Sequence, residues 1–283
     1  MKVVILCGGL GTRLREETEY RPKPMVPVGD RPILWHIMSR YAIYGYNEFI
    51  LCLGYKGDMI KNYFLHYRTE TSDFTLKLGC KSQEAIQYHS PCHERNWIIT
   101  FVDTGERTMT GARVKQIERY IDGETFLLTY GDGLADLDIM ALTHFHERHG
   151  RVGTVTSVRP GIGRFGELVL ETDRVTQFME KPEKRDGYIS GGFFVFHRDV
   201  FRYLSDDENC VLEREPLQRL SADGQLMAYR HHGYWECMDT YRDYQHLNEL
   251  WNKGEPPWAV VAVTPTTERK RRPQTRYQTT IAR

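Results

Sequence analysis

Val3-Val4-Ile5-Leu6-Cys7-Gly8-Gly9-Leu10-Gly11-Thr12-Arg13-Leu14 begins with a short apolar run that stops at three closely spaced glycines. A run of this length bounded by glycine reads as a buried strand, and a glycine-rich loop at the carboxyl end of a parallel strand is where open α/β sheets place ligands. Without side chains in the way, the loop's backbone N–H groups can approach phosphate oxygens closely. Two common phosphate loops do not fit. A Walker loop needs lysine followed by serine or threonine after its last glycine, where this chain has Thr12-Arg13. A dinucleotide fingerprint starting at Gly9 would need a third glycine where Leu14 stands. What fits is a loop of N–H donors with Arg13 as a cation for an oligophosphate. A second cation, Lys23, is held extended by the prolines of Arg21-Pro22-Lys23-Pro24.

Outward from this loop, short apolar runs alternate with amphipathic stretches as far as Tyr130. The pattern predicts strands at 3–7, 49–53, 97–102 and 126–130. A helix is expected after Pro32, with Ile33, Leu34, Ile37, Met38 and Tyr41 on one face and Gly45 closing it. A second helix should run from Gly57 to about Leu65, and a third should carry Val114, Ile117 and Ile121. Such alternation predicts a Rossmann-like α/β fold, a mostly parallel mixed sheet flanked by helices. Between His66 and Asn96 the periodicity dissolves, which reads as an insert leaving the sheet. After a helix at 137–149 the chain turns strand-rich, at 152–158, 167–170, 175–179 and 192–196, and suggests a smaller appended portion. Helices return at 199–204, 214–220 and 241–251. One domain over 1–258 is expected, followed by a basic tail at 259–283 that reads as disordered and solvated.

Lysine plus arginine equals aspartate plus glutamate at 38 each, so no global field steers the chain toward nucleic acid or an anionic membrane. The amino-terminal apolar run is too short for a signal core or a spanning helix, and a cytoplasmic protein is expected. Six cysteines without C-x-x-C spacing read as reduced thiols, not a zinc site. His144, His146 and His149 are expected on a solvated helix face. His231-His232 beside Tyr234 is left outside the site.

The glycine loop, Pro22-Lys23-Pro24-Met25, Val102-Asp103-Thr104-Gly105, Met109-Thr110-Gly111-Ala112-Arg113, Tyr130-Gly131-Asp132-Gly133, Arg164-Phe165-Gly166, Glu180-Lys181-Pro182, Gly191-Gly192-Phe193-Phe194 and Met238-Asp239-Thr240 occur in this order. Together they resemble the sugar-1-phosphate nucleotidyltransferase family over roughly residues 1–258. The resemblance implies a nucleotide-binding half at about 1–136 and a sugar-phosphate-binding half at about 137–258. Leu6, Gly8, Gly9, Gly11, Thr12, Arg13, Lys23, Thr104, Arg113 and Gly131 would hold the nucleotide, Arg113 lying in a stretch typical of the cytidylyl branch. Tyr130, Gly166, Glu180, Lys181, Ser190 and Gly191 would meet the sugar phosphate. Asp132 and Asp239 would bind Mg2+. Taken bare, either aspartate would pass for a turn former or helix cap.

The reaction implied is attack of a sugar-phosphate oxygen on the α-phosphorus of CTP, with pyrophosphate leaving in line. Arg13, Lys23, Asp132 and Lys181 would act by positioning and charge neutralisation. The attacking phosphate is already ionised, so no general base is required. The implied acceptor is α-D-glucose 1-phosphate, giving CDP-glucose for bacterial-type deoxysugar or surface polysaccharide synthesis by a homo-oligomer. Ser190 stands where the family usually has asparagine, which removes a donor and leaves space. A different phosphorylated acceptor, UTP or dTTP in place of CTP, or a non-catalytic binding subunit are the alternatives.

Overall fold

The computed structural model describes residues 1–78, 85–89, 96–159, 167–179 and 187–259. In chain order its strands are β1 Val3–Leu6, β2 Pro27–Val28, β3 Arg31–Pro32, β4 Glu48–Leu53, β5 Phe74–Leu76, β6 Ile86–Tyr88, β7 Ile98–Asp103, β8 Thr125–Tyr130, β9 Gly133–Ala135, β10 Gly153–Val158, β11 Glu167–Glu171, β12 Arg174–Met179, β13 Tyr188–His197, β14 Leu226–Arg230 and β15 Trp235–Cys237. Its α-helices are α1 Arg15–Thr18, α2 Ile33–Ala42, α3 Gly57–Leu65, α4 Tyr67–Thr71, α5 Thr110–Gln116, α6 Ile139–His149, α7 Glu215–Ala222 and α8 Tyr241–Lys253. No helix among the described residues is long and apolar enough to cross a membrane.

Nine strands form one sheet in the order β10-β14-β12-β11-β13-β8-β1-β4-β7. Strands β1, β4, β7, β8, β10, β11 and β14 run one way and β12 and β13 run against them, so seven of the nine share a direction. The expected mostly parallel mixed sheet is therefore present. Strand β1 shows why its sequence is apolar throughout: Val3 and Ile5 enter the core on the face of α2, and Val4 and Leu6 enter the opposite core with Val114 and Leu217. Because β1, β4, β7 and β8 are mutually parallel, the loops after their carboxyl ends gather at one edge of the sheet.

A short antiparallel ladder at that edge joins distant parts of the chain. Strand β15 pairs with β9, Cys237 opposite Gly133, and the Met238 N–H donates to the Asp132 carbonyl at 2.9 Å. Asp239 is thereby carried next to Asp132.

Four expectations need adjusting. The helix expected at 199–204 is a 3-10 helix, Arg198–Tyr203. The third helix stops at Gln116, before Ile117 and Ile121, although both side chains are buried. Strand β14 was not foreseen, although it pairs with β10 over five residues. The histidines of α6 do not share a solvated face. His146 is buried, and His146 Nδ1 and His149 Nε2 both contact Thr154 Oγ1, at 2.8 and 2.7 Å. Within the expected insert, β5 and β6 form a separate hairpin. Cys80 and Cys92 and the expected tail from residue 260 onward lie outside the described residues.

Candidate active site

Gly11 takes the left-handed conformation, φ 61°, and caps a 3-10 turn at Thr12–Leu14. Thr18 Oγ1 donates within reach of the Gly11 and Leu14 carbonyls, at 3.0 and 2.9 Å, and ties the turn to α1. A Cβ on Gly11 would lie 2.7 Å from Thr18 Cγ2, so both conformation and space call for glycine. Gly8 is required for a different reason: a Cβ there would lie 2.2 Å from Arg113 Nη1.

Arg113, on α5, is only 1% exposed and lies directly under the loop. Its Nη1 donates to the Leu53 carbonyl at 3.0 Å and to Thr104 Oγ1 at 2.6 Å, and its Nη2 donates to the Glu106 carbonyl at 3.2 Å. Thr104 Oγ1 in turn donates to the Leu53 carbonyl at 2.7 Å. Burial pulls the guanidinium pKa below its ordinary value, yet arginine stays charged at neutral pH. Among the described residues no carboxylate pairs with it. A buried cation held only by neutral acceptors is costly, and a ligand oxygen in the cleft would relieve that cost.

The carboxylates meet the cations a short way along. Lys23 Nζ lies 2.6 Å from Asp132 Oδ2 and 2.5 Å from Asp239 Oδ1, and Arg13 Nη1 lies 2.5 Å from Asp239 Oδ2. Burial would lower the Lys23 pKa, but the neighbouring Asp132, Cys237 and Asp239 hold it above its ordinary value, so the ammonium stays charged. Asp239 is fixed from behind, its N–H donating to Asp243 Oδ2 at 3.1 Å within the capping box that opens α8. Cys237 offers its Sγ to the same group: one ligand atom each from Asp132, Cys237 and Asp239 lie within 4.8 Å of one another. This donor set fits a divalent cation. The Lys23 ammonium, shared by both carboxylates, already shows the group stabilising positive charge.

Beyond Arg113, Tyr130 OH donates to Glu213 Oε1, and Thr110 Oγ1 donates to Glu213 Oε2 at 2.6 Å. Glu213 thus clamps two residues that line the cleft, and its role was not legible because it lies 83 residues from Tyr130. The cleft is about 360 Å³. Leu6, Gly8, Gly9, Gly11, Thr12, Arg13, Lys23, Arg113, Tyr130, Gly131, Asp132 and Asp239 all line it, joined by Cys7, Pro24 and Thr110. Thr104 acts from behind, through Arg113. Tyr130, expected against the sugar phosphate, lines this same cleft. Ser190 and Gly191 do not line it. They lie on β13, where the Gly191 carbonyl accepts from Trp235 Nε1 at 2.8 Å and Ser190 Oγ is buried without a hydrogen-bond partner among the described residues. Gly166, Glu180 and Lys181 lie outside the described residues. His231, beside this region, is engaged with Asp136 Oδ1 at 2.9 Å.

A family model described as nucleotidyl transferase matches residues 2–253. The chain belongs to the nucleotidyl transferase family. It is by that membership an enzyme, a nucleotidyltransferase, and nucleotidyltransferases of this family generally use a divalent metal. Among curated relatives, glucose-1-phosphate cytidylyltransferase of Salmonella typhi is 48% identical over 261 residues, covering 91% of this chain and 98% of that protein. Probable glucose-1-phosphate cytidylyltransferase of Bacillus subtilis (strain 168) is 46% identical over 260 residues, covering 92% and 100%. Among solved structures, HddC from Yersinia pseudotuberculosis complexed with GMP-PN matches with a TM-score of 0.68 at 23% identity, covering 88% of this chain and 99% of that one. A UDP-glucose pyrophosphorylase complexed with UDP-glucose matches with a TM-score of 0.71 at 16% identity, covering 90% and 99%. At these identities the structural matches speak for the fold.

Proposed function

We propose that this nucleotidyltransferase transfers a cytidylyl group from CTP to α-D-glucose 1-phosphate, releasing pyrophosphate and forming CDP-glucose. The observation that carries the reading is the convergence, in one cleft, of the Gly8–Arg13 loop, the cations Arg13 and Lys23, and the carboxylates of Asp132 and Asp239. The choice of base and sugar is supported by the 46–48% identity to the two relatives bearing that name. The buried Arg113 guanidinium supports a pyrimidine whose edge offers acceptors. Cytosine presents O2 and N3 to such a donor.

In this reading the loop N–H groups and Arg13 receive the triphosphate. Arg13, 61% exposed, swings from Asp239 to the phosphates, and Asp239 keeps Lys23 or the incoming cation as its partner. Lys23, freed from the carboxylates as the phosphates arrive, neutralises the departing pyrophosphate. Asp132 and Asp239 would then hold Mg2+, which supplies charge neutralisation at the phosphate oxygens. Lys181, with Glu180 and Gly166, would orient the sugar phosphate, as the family resemblance implies. The free thiols Cys7, Cys52, Cys210 and Cys237 support a reducing, cytoplasmic setting. Pyrophosphate release by purified Asp132→Asn and Lys23→Ala tests the site: each variant should lose about 10²-fold or more in turnover. Near wild-type rates in both would refute it.

Ser190 favours one second reading. A buried hydroxyl with no partner among the described residues leaves hydrogen-bonding capacity unused, and it stands where the family usually has asparagine. The shorter side chain removes a donor and leaves space, which suits a phosphorylated acceptor other than glucose 1-phosphate. Faster turnover with another sugar 1-phosphate, abolished by Ser190→Asn, would favour that reading.

A further inference from the structure

Cys237 has no part in the reaction described above, yet its sulfur sits at the carboxylate pair. Its Sγ lies within 4.8 Å of ligand oxygens on both Asp132 and Asp239. The placement is set by backbone, because Cys237 is the last residue of β15 and pairs with Gly133, the residue after Asp132. Three donors therefore converge from two strands whose register fixes their spacing, and two of them are hard oxygens while the third is a soft sulfur. Magnesium takes oxygen ligands and gains little from sulfur, whereas zinc and cadmium bind thiolate strongly.

We propose that Cys237 is a third protein ligand of the divalent-ion site when a thiophilic cation, zinc or cadmium, occupies it, and that it tightens the binding of those cations beyond what the two carboxylates provide. The proposal rests on the reading of Asp132 and Asp239 as the metal carboxylates. Binding of such a cation forms a sulfur–metal bond and breaks the S–H bond, the proton passing to solvent. The cation also displaces the Lys23 ammonium from the carboxylates, since both positive charges cannot share the same two oxygens.

The test is cadmium titration of the reduced full-length protein, read by the thiolate-to-cadmium charge-transfer band in the ultraviolet. Mn2+ binding, read by electron paramagnetic resonance, serves as a probe for the carboxylates alone. Wild type should give the band, with cadmium displacing Mn2+. Cys237→Ser should lose the band, and its cadmium affinity should fall on the order of 10- to 100-fold or more, the loss expected when a metal ligand's support is removed. Its Mn2+ affinity should stay within a few-fold. Cys237→Ala repeats the measurement without a hydroxyl in the sulfur's place. Should wild type bind Mn2+ without any cadmium band, or should Cys237→Ser keep both the band and the affinity, the sulfur is not a ligand and the carboxylate reading stands. Failure of both ions to bind, with Asp132→Asn and Asp239→Asn changing nothing, would overturn the metal reading itself. A thiol that only hydrogen-bonds Asp132 would leave the cadmium affinity of Cys237→Ser unchanged.

Discussion

Arg113 holds a full positive charge under the glycine loop, and among the described residues its partners are carbonyl and hydroxyl oxygens. Lysine in its place keeps the charge but loses the fork whose two arms reach Leu53 with Thr104 and Glu106. Hydrogen bonds to charged groups are worth roughly 1.5–3 kcal/mol, so Arg113→Lys should raise the KM for CTP on the order of 10- to 100-fold. Initial-rate kinetics checks this. Gly8→Ala should act through the same arginine, because the added methyl occupies guanidinium space. The expected result is at least a tenfold loss in kcat/KM with a native circular dichroism spectrum. Lys23→Ala should separate two properties that would otherwise fall together. Removing the ammonium frees the carboxylates of Asp132 and Asp239 for a cation, so Mn2+ affinity should rise while turnover falls. Weaker Mn2+ binding by this variant would contradict the view that Lys23 and a divalent ion compete for the same oxygens.

Among the elements, α8 shows how local sequence rules support the site. Thr240 and Asp243 cap it reciprocally, and Asp243 also receives the Asp239 N–H. Thr240→Ala should cost about 1 kcal/mol, lowering Tm by roughly 2–4 °C in a chain of this size, measurable by calorimetry. The histidines of α2 and α6 impose a pH dependence. Burial holds His36, His146 and His149 each at a pKa of about 4, below the ordinary 6.5, with the neighbouring His149 adding to the effect at His146 and Arg151 at His149. In the unfolded chain these imidazoles take up protons at higher pH than in the native protein. Their contribution is therefore complete above pH 6.5, is lost as pH falls toward 4, and does not decline further below that. For His36, the most buried of the three, the loss is roughly 3 kcal/mol. The half-exposed His149 contributes less. Urea unfolding between pH 7 and 4.5 should show a falling midpoint, and a flat one would contradict the assigned burial.

At the scale of the whole molecule, the sequence carried the parallel half of the sheet because β1, β4, β7 and β8 are continuous apolar runs separated by helices of clear periodicity. Strand β14 escaped because Leu226-Met227-Ala228 lacks the β-branched residues that mark β1, and only three residues separate it from α7. The β9–β15 ladder escaped because three-residue strands have no period to read, yet that ladder carries Asp239 to Asp132. The histidines of α6 were misread for a related reason: what buries them is Thr154 on a neighbouring strand, invisible to helical spacing. Motif residues of the loop were legible because glycine and proline each carry a backbone meaning and arginine a permanent charge. Glu213 and Cys237 were not, since their meaning lies only in what they touch.

Within the established family, the choice of nucleotide and acceptor is tested most directly by a product assay. Purified protein is incubated with Mg2+ and glucose 1-phosphate together with CTP, UTP, dTTP or GTP, and the sugar nucleotide formed is identified by mass. The proposed cytidylyl transfer should give CDP-glucose and equimolar pyrophosphate from CTP, at rates far above those with the other three. Absence of CDP-glucose, with a different nucleoside diphosphate sugar formed instead, would contradict it.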